Sequence, residues 1–322
     1  MRFVLPLAAL LFTAVPALAE DPTAASPKAE PPASGPELRF AWPTPSRVTV
    51  TERILKKGKR AVVRYDAALS ARQGGGYELK LDKFQFLEME GRDVTKGPQP
   101  PALKAAMALS SAIPTLVIAS DGQVEDVVGM EEAMQRVLTL VPEEKGMRDQ
   151  VRAMLAQPGM EQAMKQKAGD FWNAWVGAWV GTDLAAGEER SATVPMQLPS
   201  GAVDSKLTMR HRGPDVSHKG AVRLEMETVL EGEPFRKAMV GMLSQMLQSA
   251  APEGKAPDFE TMLESASRVS NAEVVTDAAT LRPYSARLVQ VTQLRIGGQE
   301  REEREEREYS FAWSAKKAGK RR

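Results

Sequence analysis

Residues 113–141, IPTLVIASDGQVEDVVGMEEAMQRVLTLV, form the stretch that decides the fold. The stretch contains an apolar run at residues 116–119, which has the length of a strand and is too short for a helix. Asp121 and Gly122 follow this run, and the pair is typical of tight hairpin turns because Gly adopts positive φ freely and Asp tolerates it. The sequence therefore predicts that residues 123–128 fold back as a second strand.

The apolar pattern changes after Gly129 from a period of two to a period of three and four. One face of the predicted helix carries Met130, Met134, Val137, Leu138 and Val141. Pro142 would end this helix, because proline cannot continue the backbone hydrogen bonding. A hairpin followed directly by a helix that can lie on the same sheet indicates a mixed α and β fold, and it indicates no chemistry.

Residues 1–19 have the pattern of a secretory signal peptide. A short basic start precedes an apolar run at residues 3–15, and Ala17 and Ala19 present the small side chains that signal peptidase recognises. We expect cleavage before Glu20. The alternative is a membrane anchor, but this run and every other apolar run in the chain are shorter than the ~20 residues of a transmembrane helix.

The sequence contains no cysteine, which excludes both the lipid-modified cysteine of a bacterial lipoprotein and any disulfide. Ala, Arg, Glu, Gly and Val are abundant and asparagine is rare, a bias that we interpret as that of a GC-rich bacterial genome. We therefore expect a protein of the periplasm, or one secreted to the medium, in a Gram-negative bacterium. Residues 20–36 are rich in Pro, Ala and Ser and are predicted to form a disordered tether, and residues 316–322 a disordered basic tail.

The charges of the chain are balanced, with 43 Lys and Arg residues and 42 Asp and Glu residues. Residues 1–19 contain Arg2 and no acidic residue, so the chain predicted to remain after cleavage has no net charge. Nucleic acids and anionic membranes bind proteins through concentrated basic surfaces. We therefore expect no nucleic-acid partner, and no transmembrane segment in the mature chain.

Alternating apolar residues predict strands on both sides of a helical middle. The first strand begins at Glu37 and includes Phe40 and Trp42. A later strand changes its apolar parity near Asp82 and Lys83, which predicts a bulge or a sharp bend. After the middle, strands are predicted at residues 194–198, 207–211, 222–230, 269–275, 287–296 and 309–313.

Helical periodicity occupies most of the middle of the chain. Helices are predicted there at residues 102–112, 130–141, 144–156 and 160–180, and two more are predicted among the later strands, at 234–249 and 258–267. This order predicts a single α+β domain over residues 37–315. In it, both ends of the chain form a strongly curved antiparallel sheet, and the central helical block packs on the concave face.

Two of these helices carry stripes of large apolar side chains at helical spacing. The residues are Trp172, Trp175 and Trp179, and Met239, Met242 and Met246. We predict that they line an apolar ligand cavity of ~300 Å³ or more between the sheet and the helices, because flexible Met side chains suit an adaptable site. The alternatives are ordinary core packing for both stripes, membrane-surface insertion for the tryptophans and Cu(I) binding for the methionines.

The sequence has no motif for nucleophilic or phosphate chemistry: no cysteine, no Gly-x-Ser-x-Gly, no His-Glu-x-x-His and no glycine-rich phosphate loop. His211 and His218, with Asp215 between them, are a usable set of metal ligands, but their spacing matches no known metal motif. We therefore expect a non-catalytic protein without cofactor or metal. An enzyme that uses paired carboxylates is a less favoured alternative.

The run EREEREERE at residues 300–308 is the most charged segment of the chain. Opposite charges that alternate within one or two residues cancel each other and stay solvated. We therefore interpret the run as the solvent-exposed half of the last strand, or as a charged hairpin tip, and not as a partner site.

Residues 113–114, 121–122 and 127–129, the helix that follows them and the closing residues 309–313 together resemble uncharacterised exported proteins of myxobacterial type. The order of strands, helices and strands is also similar to the half-barrels of periplasmic lipoprotein carriers, which hold acyl chains between a bent sheet and covering helices. This resemblance implies a cavity and assigns no binding residue. We expect a non-catalytic envelope protein that binds a lipid, an acyl chain or a hydrophobic partner segment. The alternative is a structural or interaction module with a solid core and no ligand.

Overall fold

The structure is a computed structural model, and it describes residues 35, 37–96, 103, 113–140, 148–149, 152, 160–198, 201–250 and 258–313. Within these ranges the side chains of residues 137, 140, 160–163, 166–167 and 245–250 are not described. The predicted signal peptide and tail lie outside the described residues, as do nearly all of the tether and of the helices predicted at 102–112 and 144–156.

The strands of the described residues are β1 (Ser46–Lys56), β2 (Lys59–Ala71), β3 (Tyr77–Met89), β4 (Arg92–Asp93), β5 (Thr115–Ile118), β6 (Val124–Val128), β7 (Glu189–Leu198), β8 (Gly201–Pro214), β9 (Ala221–Leu230), β10 (Leu263–Asp277), β11 (Pro283–Ile296) and β12 (Gln299–Trp313). The helices with described bounds are α1 (Met130–Leu140), α2 (Met160–Trp175), α3 (Gly232–Ala250) and α4 (Phe259–Met262). A 3-10 turn, Gly177–Trp179, follows α2. Within the described ranges, none of the helices has the length and apolar character needed to cross a membrane.

The twelve strands of the described residues form one open sheet in the order β6-β5-β3-β2-β1-β12-β11-β10-β9-β8-β7, with β4 paired to β3. The paired strands run antiparallel. In the middle of the sheet β1 pairs with β12, from Val48 opposite Trp313 to Lys56 opposite Glu305. The first and the twelfth strand therefore meet in one ladder, and the predicted α+β fold is confirmed.

The hairpin predicted from Asp121 and Gly122 is confirmed, since β5 and β6 pair across this turn. Asp121 Oδ1 accepts a hydrogen bond from the backbone N–H of Gln123 at 3.0 Å, which fixes the turn. Gly122 has φ +104°, and a Cβ atom at this position would lie 2.5 Å from Cβ of Phe40. The Gly122 carbonyl also accepts a hydrogen bond from Trp172 Nε1 at 2.8 Å. The turn is thus fixed to the core through its backbone.

The bulge predicted near residue 82 is also present. Lys83 and Phe84 of β3 together lie opposite the single residue Tyr65 of β2. Lys83 has φ +58°, which is uncommon for a residue with a side chain. The extra residue changes the parity of the strand, so that Phe84 faces inward and its ring stacks on Tyr65 at 4.9 Å.

Contacts of α2 show that the sheet is curved. Gly169 of this helix lies against Val124 of β6, while Asp170 and Phe171 lie over β10 and β11. Seven strand spacings separate β6 from β10, which would amount to roughly 34 Å in a flat sheet at about 4.8 Å per strand. One helical turn of about 5.4 Å reaches both regions only because the sheet bends around the helix.

The described part of the chain has two clusters of buried apolar residues. The larger core packs α2 against the sheet and contains Trp172, Trp175 and Trp179. The smaller core packs α3 against the ends of β8 to β10 and contains Phe235 and Met239. Between these cores the strand register places two rows of polar side chains, which we term the polar band: Thr228, Ser270, Gln290 and Glu305 in one row, and Arg268, Thr292 and Glu303 in the next.

The first strand predicted from the sequence is wrong. Phe40 and Trp42 are buried as expected, but the extended segment around them pairs with no strand of the described residues. Its backbone bonds to loops instead: the N–H of Ala41 donates to the carbonyl of Thr280 at 3.2 Å. The alternation of apolar residues therefore predicted the burial of Phe40 and Trp42 correctly, but its prediction that this segment pairs with another strand is wrong.

The helix predicted at residues 258–267 is also wrong in its length. It ends at Met262, and the chain continues as β10 from Leu263. Leu263 and Ala266 are buried against α3 in the smaller core. Packing against a neighbouring helix therefore overrides a local pattern that suits a short helix equally well.

Candidate ligand cavity

A cavity of about 130 Å³, which we term the inner cavity, lies between α2 and the strands β9 to β12. Its lining is mainly apolar and includes Phe171, Met226, Ala272 and Leu288. The polar part of the lining includes Asp170 and Arg307 together with the first row of the polar band. One end of the cavity therefore lies in the larger core, and the other end lies at the first row of the polar band.

The strand register explains how the apolar wall forms. Ala272 of β10 lies directly between Met226 of β9 and Leu288 of β11, so the three side chains share one face and one row. Phe171 covers this row from α2, and its ring lies 4.8 Å from that of Trp175 in the core. Because Trp175 is fully buried, the wall formed by Phe171 has a rigid support.

A cluster of four charged side chains borders the inner cavity on the side of β1 and β12. Arg307 Nη1 donates to Glu52 Oε1 at 3.0 Å, and Arg307 Nη2 lies 2.7 Å from Glu305 Oε1. Lys56 Nζ donates to the other oxygen of Glu305 at 2.5 Å. The cluster contains two acids and two bases, so its charges are compensated internally.

Burial and neighbouring charges set the protonation states in this cluster. Burial alone would raise the pKa of Glu305, but the charges of Arg307 and Lys56 outweigh it and lower that pKa. Burial, and next to it the charge of Glu52, raises the pKa of both Tyr65 and Tyr309 well above the usual value. At neutral pH the two tyrosines are therefore neutral and Glu305 is ionised.

Arg268 lies in the polar band and differs from Arg307 in its environment. Its side chain is 5% exposed, and its guanidinium lies 5.6 Å from the ring centroid of Phe235. Its buried Nε has no hydrogen-bond partner. Burial lowers the pKa of Arg268 to about 10, with Glu303 acting in the opposite direction. Arg268 is thus a buried cation at neutral pH.

A second cavity, of about 430 Å³, lies on the other side of Arg268 along β10, and we term it the outer cavity. It is lined by residues 231–232, 265–267, 293–295 and 300–302. Ala266 belongs to this lining and Ser270 to that of the inner cavity. Arg268 therefore lies between the two cavities on one face of one strand.

The six residues predicted from the sequence as ligand contacts are divided between the two cores. Trp172, Trp175 and Trp179 are fully buried in the larger core, whereas Met239 and Met242 pack in the smaller core, and the side chain of Met246 lies outside the described residues. The five described residues line neither the inner nor the outer cavity. Their positions agree with the core-packing alternative, and a ligand contact through them stays a prediction.

The sequence interpretation missed Arg268, Glu305 and Arg307. The run at residues 300–308 was expected to face solvent, and residues 300–302, 304 and 308 are exposed. Glu305, however, is 5% exposed and lies on the inner face with Tyr309 and Phe311. Strand parity is the signal that could have identified these residues, because the alternation of Phe311 and Tyr309 continues back to Arg307 and Glu305.

The two histidines are placed in separate local structures. His211 is buried and its Nδ1 accepts a hydrogen bond from the backbone N–H of Gly213 at 3.1 Å. His218 stacks on Tyr284, with ring centroids 4.3 Å apart, and its Nδ1 lies 3.1 Å from Asp215 Oδ2. Within the described ranges, no group of three or more His, Asp or Glu side chains has a geometry that could hold a metal ion.

No protein-family model matches this chain, and no curated protein matches it. Among solved structures the chain is similar to lipovitellin, from a structure concerned with lipid–protein interactions, at 11% identity and a TM-score of 0.38 over 84% of this chain and 25% of that chain. It is also similar to a porin-like protein from Bacteroides uniformis at 9% identity and a TM-score of 0.18, over 86% of this chain and 100% of that chain. The chain thus spans about a quarter of the lipovitellin chain. At these TM-scores neither similarity establishes a relationship.

Proposed function

We propose that the protein is a non-catalytic binding protein of the bacterial envelope or medium, and that it holds a short apolar segment of a ligand in the inner cavity. The observation that carries the proposal is the apolar wall of Phe171, Met226, Ala272 and Leu288, which leaves about 130 Å³ unfilled beneath α2. Binding sites are commonly concave and mainly apolar with a few polar groups, so an apolar recess between a sheet and its covering helix supports a binding role.

The volume limits what the cavity accepts. An apolar cavity of roughly 150 Å³ holds benzene, whereas sites for larger ligands have roughly 300–1,000 Å³. The inner cavity, at about 130 Å³, therefore suits a segment of about six carbon atoms. A lipid, an acyl chain or a hydrophobic partner segment would insert only its end.

Hexanol is a suitable probe of the apolar segment. We expect wild-type protein to bind it in calorimetric titration, with a change in fluorescence because the rings of Phe171 and Tyr309 contact Trp175. Ala272→Leu places three extra carbon atoms into the cavity. This variant should bind hexanol at least ten-fold more weakly and keep wild-type stability within about 1 kcal/mol, since the added atoms fill a void.

Ala286→Leu is the matched control, because Ala286 is equally buried on the same face and lies outside the lining of both cavities. Overpacking at a filled site costs about 1–3 kcal/mol, so Ala286→Leu should destabilise the protein and leave hexanol affinity unchanged. If Ala272→Leu destabilises as much as the control and wild-type protein binds no hexanol, the alternative of a structural module with a solid core is correct.

The location is a separate part of the proposal. It is supported by the signal-peptide pattern of residues 1–19, with Ala17 and Ala19 before the expected cut. Mass spectrometry of the protein from its own cells should find an N-terminus at Glu20 in a fraction that needs no detergent. An uncleaved chain in the membrane fraction would contradict it.

A further inference from the structure

Arg268 is a buried cation for which the described residues offer no hydrogen-bonded counterion. Glu303 is the carboxylate whose charge acts on it, but Glu303 already lies 3.4 Å from Lys57 Nζ and 3.9 Å from Lys56 Nζ. By contrast, Arg307 in the neighbouring cluster has two carboxylate partners at 2.7 and 3.0 Å. Of these two arginines, Arg268 alone has an unsatisfied nitrogen.

Burying a charge without a hydrogen-bonded partner costs free energy, so a ligand that supplies the missing partner is stabilised at such a position. The ring of Phe235 under the guanidinium compensates only part of the lost hydration. The pKa of about 10 keeps Arg268 protonated at neutral pH in spite of its burial. An incoming carboxylate would therefore meet a charged guanidinium with hydrogen-bonding capacity left over.

The position of Arg268 connects it to the inner cavity. Ser270, two residues further along β10, lines that cavity on the same face, and such residues are about 7 Å apart along a strand. Thr292 lies directly opposite Arg268 on β11 and adds a hydroxyl donor to the same row. Arg268 itself lines neither cavity, so a ligand of the inner cavity would reach it only with a polar head that extends past Ser270 along β10.

We propose that the ligand of the inner cavity is an amphiphile with a carboxylate head, and that Arg268 binds this head between the inner and outer cavities. This inference rests on the proposed function, since it assigns the head group of the ligand whose apolar segment fills the inner cavity. The outer cavity lies on the other side of Arg268 along β10, and the remainder of a larger ligand would extend toward it.

Acidic residues also border the site and make a cationic head the opposing hypothesis. Asp170 and Glu305 line the inner cavity and both are buried. Glu305, however, is compensated by Arg307 and Lys56, and an ammonium head would have to share the polar band with Arg268. Like charges in a desolvated site repel each other strongly, which favours the carboxylate.

Three probes with one chain length separate these hypotheses: hexanoate, hexanol and hexylamine, titrated into the full-length protein at pH 7. We expect wild-type protein to bind hexanoate at least ten-fold more tightly than hexanol, and hexylamine least. Arg268→Met should bring hexanoate down to the affinity of hexanol while hexanol itself is unchanged. Arg282→Met is the matched control, because Arg282 also lies over an aromatic ring with an unbonded Nε but is six residues from the nearest lining residue, Leu288. Arg268, by contrast, lies between Ser267 of the outer lining and Ser270 of the inner lining.

Thermal unfolding gives a second measurement, which can be made both without ligand and with hexanoate. If Arg268 is an unsatisfied cation, Arg268→Met should raise the melting temperature of the ligand-free protein, and hexanoate should raise it in wild type and not in the variant. Equal binding of hexanoate and hexanol by wild-type protein would overturn the carboxylate proposal. Preferred binding of hexylamine would also overturn it. Neither result would contradict the proposed apolar site. Absence of binding by all three probes would overturn both proposals.

Discussion

At the scale of single residues, Gly122 connects the hairpin turn to the core. Its carbonyl accepts the indole N–H of Trp172, and its Cα lies so close to Phe40 that no side chain fits. Two independent requirements therefore exclude other residues: a positive φ of +104° and contact with an aromatic ring. The sequence predicts the first through the Asp-Gly pair, whereas the second depends on a tertiary contact between residues 82 positions apart in the chain.

We predict that Gly122→Ala destabilises the protein by roughly 3 kcal/mol or more, because the new Cβ requires Phe40 to move in addition to the backbone strain. Gly75→Ala is the control, since Gly75 has a similar φ of +109° and open space around it. That control should cost only the strain, about 1–2 kcal/mol. Urea unfolding of both variants measures the difference, and equal losses would show that the contact with Phe40 is unimportant.

At the scale of the elements, the two faces of β12 lie in different environments. Its outward residues, such as Glu308, are exposed, while Glu305 and Arg307 face the concave side and form ion pairs with β1. These pairs lie in the ladder between β1 and β12. They therefore stabilise the strand pairing at the centre of the sheet.

We predict that Glu305→Gln destabilises the protein by about 3 kcal/mol at pH 7, because it leaves part of the buried charge of Arg307 and Lys56 uncompensated. The pKa of Glu305 is lowered in the folded protein, so its contribution is complete above the unfolded value of about 4.3 and is lost as the pH falls through the folded value. The difference between wild type and variant should therefore shrink below pH ~4.

Glu308→Gln on the exposed face of the same strand is the control, and it should change stability by less than about 0.5 kcal/mol. Chemical unfolding between pH 3 and pH 7 provides the measurement. A difference for Glu305→Gln that stays constant over this range would mean that the ion pairs do not depend on the charge of Glu305.

The elements were predictable from the sequence wherever one local pattern was decisive. The hairpin of β5 and β6, the start of α1 at Met130 and the bulge at Lys83 follow from turn residues and apolar parity. The inner faces of β10 and β12 were not predictable in the same way, because Arg268 and Glu305 are charged and charge alone indicates solvent. Strand parity assigns Glu305 to the same face as Tyr309 and Phe311, but only the pairing with neighbouring strands shows that this part of the face is buried.

At the scale of the whole molecule, the two halves of the sheet share one ladder and one helix. The strands before residue 130 and those after residue 185 join where β1 meets β12, and α2 packs on both groups. That residues 37–315 form a single domain stays a prediction, and this shared ladder is the reason to test it. The larger core contains residues of both groups, so neither group could retain it alone.

We predict that limited proteolysis produces no pair of stable fragments divided near residue 185, and that unfolding is a single transition with coincident fluorescence and circular dichroism curves. The reason is that separation of the halves would expose both β1 and β12 and open the larger core. Mass spectrometry of the digest and the two spectroscopic probes test this. Two transitions, or a fragment that remains folded, would indicate two domains.

The ladder between β1 and β12 also determines the order in which the protein can fold. Lys56 and Glu305, which it brings together, are 249 positions apart in the chain. During synthesis β1 therefore cannot pair with β12 until β12 has left the ribosome. Contacts between residues so far apart in the chain slow folding. During this interval β1 presents a row of unpaired backbone groups, which is a template for association with other chains. Shortened chains that lack β12 would keep that edge, so we expect them to aggregate during production.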